Sequence, residues 1–205
     1  MQSGKQRESN KRTGSFYTPY HVAEYIANNA LTRWLSEKTG FNASQPSNAA
    51  ELNRKQTKHI LSALGQIHVL DPAVGEGVFL LAAANWLENT RQMLNYAASP
   101  IKLREEIVMN NLFGVDLLKN PVKHCKRTLS KWVNDVKDDS QKQSVIDLTG
   151  QIKRGNSLVG LVRETGVRQD YDSIPHLRPF HWPLEFPEPF QNKAAGFDLV
   201  IGNPP

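Results

Sequence analysis

The residues with the clearest chemical use are Asn203, Pro204 and Pro205, which follow the apolar run Leu199-Val200-Ile201. An amine conjugated to an aromatic ring is a weak nucleophile until hydrogen-bond acceptors localise its lone pair. The Asn203 side-chain oxygen and the Pro204 carbonyl offer two such acceptors, and proline's missing N–H removes a competing donor. A Pro-Pro turn after a strand is also an ordinary structural device, and the tripeptide alone leaves both readings open.

A second group lies in Asp71-Pro72-Ala73-Val74-Gly75-Glu76-Gly77, where two glycines after a short apolar run let a ligand approach the backbone before a helix begins. A dinucleotide fingerprint would want a third glycine at position 80, which is Leu80, and would set a pyrophosphate beside the carboxylates of Asp71 and Glu76. A cofactor with an ammonium, a sulfonium and no phosphate suits the loop better, and S-adenosylmethionine is such a molecule. A tight turn with no ligand is the plain alternative. Asp116 ends the run Phe113-Gly114-Val115, where a strand-tip carboxylate can accept both hydroxyls of a ribose; capping the helix near Asn120-Pro121 is its other use. Asn156 carries an amide suited to an adenine edge and Leu158 an apolar face to pack on it, or Asn156-Ser157 is only a turn. Tyr17, Thr18 and Pro19 open a helix whose free N–H groups favour a carboxylate such as that of a methionyl group, and read alone they are simply a helix start. The six histidines show no metal-ligand spacing and no Ser/His/Asp set can be assembled, so no metal and no triad are expected. Cys125, a lone cysteine, reads as core packing.

These residues need a scaffold, and a chain of 205 residues can bury a core of its own. The longest apolar stretch, Val78 to Leu87, is interrupted by Asn85 and falls short of the roughly 20 residues of a membrane span. Residues 1–12 lack the apolar segment of a signal peptide, so the expected location is cytoplasmic. The net charge of +5 comes from residues 1–65, with nine Lys/Arg against four Asp/Glu. Residues 1–13 read as a flexible basic arm whose Lys5, Arg7, Lys11 and Arg12 could touch phosphates or simply be solvated.

Periodicity predicts a helix from Thr18-Pro19 to about Ser36 with Val22, Tyr25, Ile26, Leu31, Trp34 and Leu35 inward, a loop to Ala50, and a helix over Glu51 to Leu64. Residues 14–65 thus form a helical segment. An α/β alternation follows over 66–205: a strand at Ile67 to Asp71, a helix at Val78 to Tyr96, a connection over 97–106, a strand at Asn111 to Leu117, and a helix at Pro121 to Val136. A weaker third strand at Val145 to Lys153, or a helix end followed by a short strand there, an irregular stretch from Gly155 to Pro189, and a last strand at Phe197 to Ile201 complete it.

In this order the blocks resemble the N6-adenine DNA methyltransferases of restriction-modification systems. Gly14 to Pro19 is similar to the family's N-terminal cofactor motif, Asp71 to Gly77 to its glycine loop, Phe113 to Asp116 with Leu117 to its ribose-binding acid, and Gly155-Asn156 to its adenine contact. Asp198 to Pro205 is similar to the start of its Asn-Pro-Pro-aromatic catalytic motif. The resemblance implies a Rossmann-like α/β methyltransferase fold with strands ordered 3-2-1-4, S-adenosylmethionine as cofactor, double-stranded DNA as substrate, and the N-terminal helices covering the cofactor cleft. It also implies a fragment: the family's aromatic residue, further strands and target-recognition domain would lie beyond Pro205, Asn156 stands where the family usually has Asp, and no nuclease segment precedes Gly14. A last strand left as an open edge invites self-association or a closing partner. Three alternatives stay open: a non-catalytic cofactor-binding fragment, an Asn-Pro-Pro enzyme acting on RNA or protein glutamine, and a dinucleotide oxidoreductase.

Overall fold

The computed structural model describes residues 18–45, 47–136, 144–160, 175–191 and 196–203. Helix α1 runs over Tyr20–Thr39, a short α2 over Ser47–Ala50 and α3 over Arg54–Gln66. Strand β1 (Val69–Asp71) leads to α4 (Val78–Met93) and α5 (Pro100–Asn110), β2 (Leu112–Asp116) to α6 (Lys119–Asn134), and β3 is Ile152–Arg154. A 3-10 turn at Pro175–Leu177, two short helices, α7 (Trp182–Glu185) and α8 (Pro187–Phe190), and strand β4 (Leu199–Val200) follow. The sheet is parallel throughout and ordered β3-β2-β1-β4, as expected. Such an order reverses direction beside β1, and ligands in open parallel sheets bind outside the strand tips at that point.

The sheet separates two cores. On one face, Val69 and Leu112 pack with Leu31 and Leu35 of α1, Leu64 of α3, Leu80 and Leu87 of α4, Ile107 of α5 and Leu129 of α6. On the other, Leu70, Phe113 and Val115 meet Phe180, Trp182 and Phe186, with Phe190 and Phe197 against them. Phe113 meets Phe186 and Phe197 edge to face, with ring centroids 5.2 Å and 5.4 Å away. A short aromatic segment thereby covers the face that a full helix would otherwise bury. Lys153 ties it to β3, its ammonium 3.1 Å from Glu185 and over the Phe186 ring.

Several elements depart from the sequence reading. Of the stretch 97–106 only 97–99 is a connection; α5 begins at Pro100, with Ser99 accepting from the Lys102 N–H as N-cap. Its Arg104 pairs with the buried Glu88 at 2.7 Å and donates to the Trp132 and Asp135 carbonyls, fastening α4, α5 and α6 together. In α1 the buried face is Ala23, Ala27, Leu31 and Leu35, while Val22, Ile26 and especially Tyr25, 72% exposed, face outward. Helix α1 lies along α4, and alanines permit that close approach where larger apolar residues would not. Helix α3 begins three residues later than expected because Asn53 and Gln56 form a reciprocal capping box. The third strand shrinks to three residues, and Val145 is 99% exposed. The expected basic arm of residues 1–13 lies outside the described residues. No helix among the described residues is long and apolar enough to cross a membrane.

Candidate active site at the strand tips

Three strand ends and the turn after β3 bring Asp71, Asp116, Asn156 and Asn203 to the carboxyl edge of the sheet. Each follows from its strand's length, since the parallel register sets Asp71 opposite Gly114 and Asp116 opposite Arg154. The first helix reaches the same edge from 185 positions away in sequence: the Asn203 side-chain amide donates to the Thr18 hydroxyl at 3.4 Å. Thr18 is half-buried and Pro19 exposed, and the Pro19 carbonyl accepts from the Val22 and Ala23 N–H groups to start α1. Only that end of α1 comes to the strand tips; its length is held against α4 by hydrogen bonds from Asn85 to the Tyr20 hydroxyl and from Trp86 to Thr32. Tyr17, Pro204 and Pro205 lie outside the described residues.

Asp71 is only 1% exposed. Its Oδ1 accepts the Ala73 N–H at 3.0 Å, which turns the chain out of β1 and leaves Pro72 and Ala73 half-buried. Burial drives its pKa from 3.8 up to about 7; the Ala73 hydrogen bond opposes this and the negative charge of Asp116 adds to it. The carboxyl also abuts the chain after β4: a Cβ on Gly202 would stand 2.7 Å from Asp71 Oδ1. Asp71 therefore braces the turn and the approach to Asn203 at once.

Asp116 is half-buried and organises the other side of the glycine loop. Its Oδ2 accepts the Gly75 N–H at 3.1 Å and its Oδ1 the Leu118 N–H at 2.8 Å. Leu117 beside it is exposed. The loop also lies across β2 through a hydrogen bond from the Val74 N–H to the Val115 carbonyl. Gly77 enters α4 at φ +85°, and a Cβ there would come within 2.8 Å of Cys125 Sγ, so the loop closes onto α6 only because residue 77 has no side chain. Cys125 is fully buried, and burial pushes its thiol far above the usual range, which leaves it a packing residue. Glu76, at the loop's exposed tip, stands 3.4 Å from His124 of α6.

After β3, the Gly155 N–H donates to the Asp116 carbonyl, and the Asn156 N–H to the Arg178 carbonyl. The Asn156 side-chain oxygen accepts the Leu158 N–H at 3.1 Å, an Asx turn with Ser157 half-buried at its centre. Leu158 itself projects into solvent, 91% exposed. Among the described residues no group of three or more His, Cys, Asp or Glu could hold a metal ion. A separate cleft lined by Phe41, Leu52, His59 and Ile60 takes in none of the strand-tip residues.

Sequence reading located the strand-tip acids but not their supports. The His124 contact with Glu76 and the close approach of Gly202 to Asp71 are contacts between distant segments, which no local pattern announces.

Residues 110–205, which hold β2, β3, β4 and the aromatic layer, match the family model of the Eco57I restriction-modification methylase. A protein of Methanocaldococcus jannaschii described as a putative type II restriction enzyme and methyltransferase is 29% identical over 185 residues, covering 75% of this chain. The chain spans about 15% of that relative's length. The parallel 3-2-1-4 sheet and the acids at its strand tips agree with these matches, and over residues 110–205 the chain is similar to the restriction-modification methylases of the Eco57I type.

Proposed function

We propose that this chain forms the cofactor-binding half of a DNA methyltransferase that transfers a methyl group from S-adenosylmethionine to N6 of adenine. The observation that carries the reading is the meeting of Thr18 and Asn203 at the sheet edge that also holds Asp71 and Asp116, because it sets a cofactor motif and a catalytic motif side by side. The residues present fit such a cofactor. Both Asp116 oxygens accept one backbone N–H each and keep lone pairs for two ribose hydroxyls. The acids at the glycine loop suit a phosphate-free cation, with Glu76 exposed at the loop's tip. S-adenosylmethionine supplies, when bound, a methyl group on a sulfonium that a nucleophile can displace in line.

In this reading Asp116 holds the ribose, Gly75 and Gly77 let the cofactor lie against the loop, and Thr18 with Tyr17 and Pro19 closes on its methionyl end. Pro72 and Ala73 shape the turn, while Asn156, Ser157 and Leu158 border the adenine. Asp71 acts through the backbone it braces. The Asn203 side-chain oxygen accepts a hydrogen bond from one N–H of the target amine and the Pro204 carbonyl, followed in the motif by Pro205, accepts one from the other, which localises the lone pair toward the methyl group. The target base must leave the duplex to reach these groups. The exposed Leu158 offers an apolar surface for an adenine ring.

Calorimetric titration of the folded chain with S-adenosylmethionine tests the cofactor half, and saturable binding is expected. No binding by folded protein, or binding of NAD in its place, refutes it. Transfer of labelled methyl groups by the complete enzyme to adenine-containing duplex, with no transfer to RNA or to glutamine-containing peptide, tests the substrate.

A further inference from the structure

Beyond the strand tips, the most sharply patterned surface is the outer face of α6. Lys119, Lys123, Arg127 and Lys131 follow one another at four-residue intervals and are all exposed. Cys125, Leu129, Trp132 and Val133 occupy the opposite face and are buried, so the core sets the helix's rotation and turns the four cations outward together. The helix contains no Asp or Glu, and none of the four cations is in an ion pair among the described residues. Like charges at this spacing repel one another and weaken a helix, so folding provides no reason for the row.

We propose that this row is a track for the phosphate backbone of double-stranded nucleic acid, a contact separate from the methyl-transfer site; the choice of DNA as the polyanion rests on the methylase reading. The row extends about 18 Å at 1.5 Å per residue, and one duplex strand presents a phosphate about every 3.4 Å of axis, so it runs beside about five phosphates. Its position suits such a path. Helix α6 begins directly after Leu118, whose N–H donates to Asp116, and its second turn touches the glycine loop through His124 and Glu76. The track therefore starts at the sheet edge where the target base would sit and leads away from it. Lys126, off the row, lies within reach of the charge of Asp147 and is not part of the track.

The test is duplex binding by the 205-residue chain, read by fluorescence anisotropy between 50 and 200 mM salt. Each phosphate contact contributes roughly 0.9 to the slope of log K against log salt, so K119Q/K123Q/R127Q/K131Q should flatten the slope by about 3 to 4 and weaken binding at least tenfold, independently of sequence. Single Gln variants should each remove about 0.9, and they keep the test decisive if the fourfold variant does not fold. R54Q/K55Q/K58Q on α3, equally exposed cations away from the row, should leave the slope unchanged. Failure of the parent chain to bind duplex, an unchanged slope in the α6 variants, or loss of poly-glutamate binding with duplex binding intact overturns the proposal, the last in favour of an acidic protein partner. Titration of the same samples with S-adenosylmethionine separates the two readings: a flattened slope without cofactor binding sinks the methyltransferase assignment and leaves the track standing.

Discussion

Replacing Asp71 by Asn should stabilise the folded chain at neutral and alkaline pH, even though it removes a carboxylate from a conspicuous motif. The folded protein holds the Asp71 proton more tightly than the unfolded chain does, with a pKa moved from 3.8 to about 7 by burial. A carboxyl raised in this way costs stability as pH rises: below about 4 both states are protonated, between 4 and 7 only the unfolded chain ionises freely, and above 7 the full cost is present. At about 1.36 kcal/mol per pH unit the full displacement is worth about 4 kcal/mol, of which about 2.5 kcal/mol falls between pH 5 and pH 8. Asn cannot ionise, and its side-chain oxygen can still accept the Ala73 N–H. Urea denaturation of the parent and Asp71→Asn chains at several pH values should give a stability difference that moves toward the variant by about 2.5 kcal/mol from pH 5 to pH 8. Taking the difference cancels the other titrating groups. Curves that stay parallel across this range would show that Asp71 ionises normally and that its burial carries no electrostatic cost.

Gly77→Ala should lose about 1–2 kcal/mol from the left-handed backbone alone, and more from the collision with Cys125; adding Cys125→Ala should restore only the steric part, as denaturation of the double variant would reveal. Asp116→Asn should weaken S-adenosylmethionine binding by about 10- to 100-fold in calorimetry, since a hydrogen bond to a charged group is worth about 1.5–3 kcal/mol. Asn203→Ala loses one exposed hydrogen bond to Thr18 and should change stability by less than about 0.5 kcal/mol. In the complete enzyme the same change should lower methyl transfer by about 100-fold or more with cofactor affinity retained, and comparable activity would remove Asn203 from the catalytic role. Phe180→Ala, which empties the centre of the aromatic layer, should cost about 3–5 kcal/mol by the same denaturation assay.

Much of the architecture is written in local pattern. Short apolar runs ending in an acid predict β1 and β2, and the observed strands stop at Asp71 and Asp116. The spacing of Val122, Cys125, Leu129, Trp132 and Val133 predicts the inner face of α6; the last four are buried and Val122 is half-buried. Pattern misleads where size outweighs hydrophobicity. Large apolar residues point to Val22, Tyr25 and Ile26 as the inner face of α1, yet Ala23 and Ala27 take it because the helix lies close along α4. It also fails where capping competes with a mixed sequence, as at Ser99-Pro100, which begins a helix in a stretch that reads as a connection. Phe180, Trp182, Phe186 and Phe197 sit in a segment with no period at all, and only their joint packing on Phe113 makes them a layer.

For the candidate site the division is similar. Residue types and order along the chain are enough to choose the glycine loop, the two strand-tip acids and the Asn203 turn, because each is set by what immediately precedes it. Their relations are not local. The charges of the chain beyond residue 65 balance in composition, and segregation appears only when the core rotates Lys119, Lys123, Arg127 and Lys131 to one side of α6. The meeting of Thr18 with Asn203, the approach of Gly202 to Asp71, and the burial that turns Asp71 from a charged ligand into a brace that titrates near neutrality all depend on segments far apart in sequence. Sequence therefore determined which groups are available at each strand end, since a strand's side-chain pattern is local, and the tertiary structure decided which of them face each other and with what charge, since distance and solvent exclusion exist only in the folded chain.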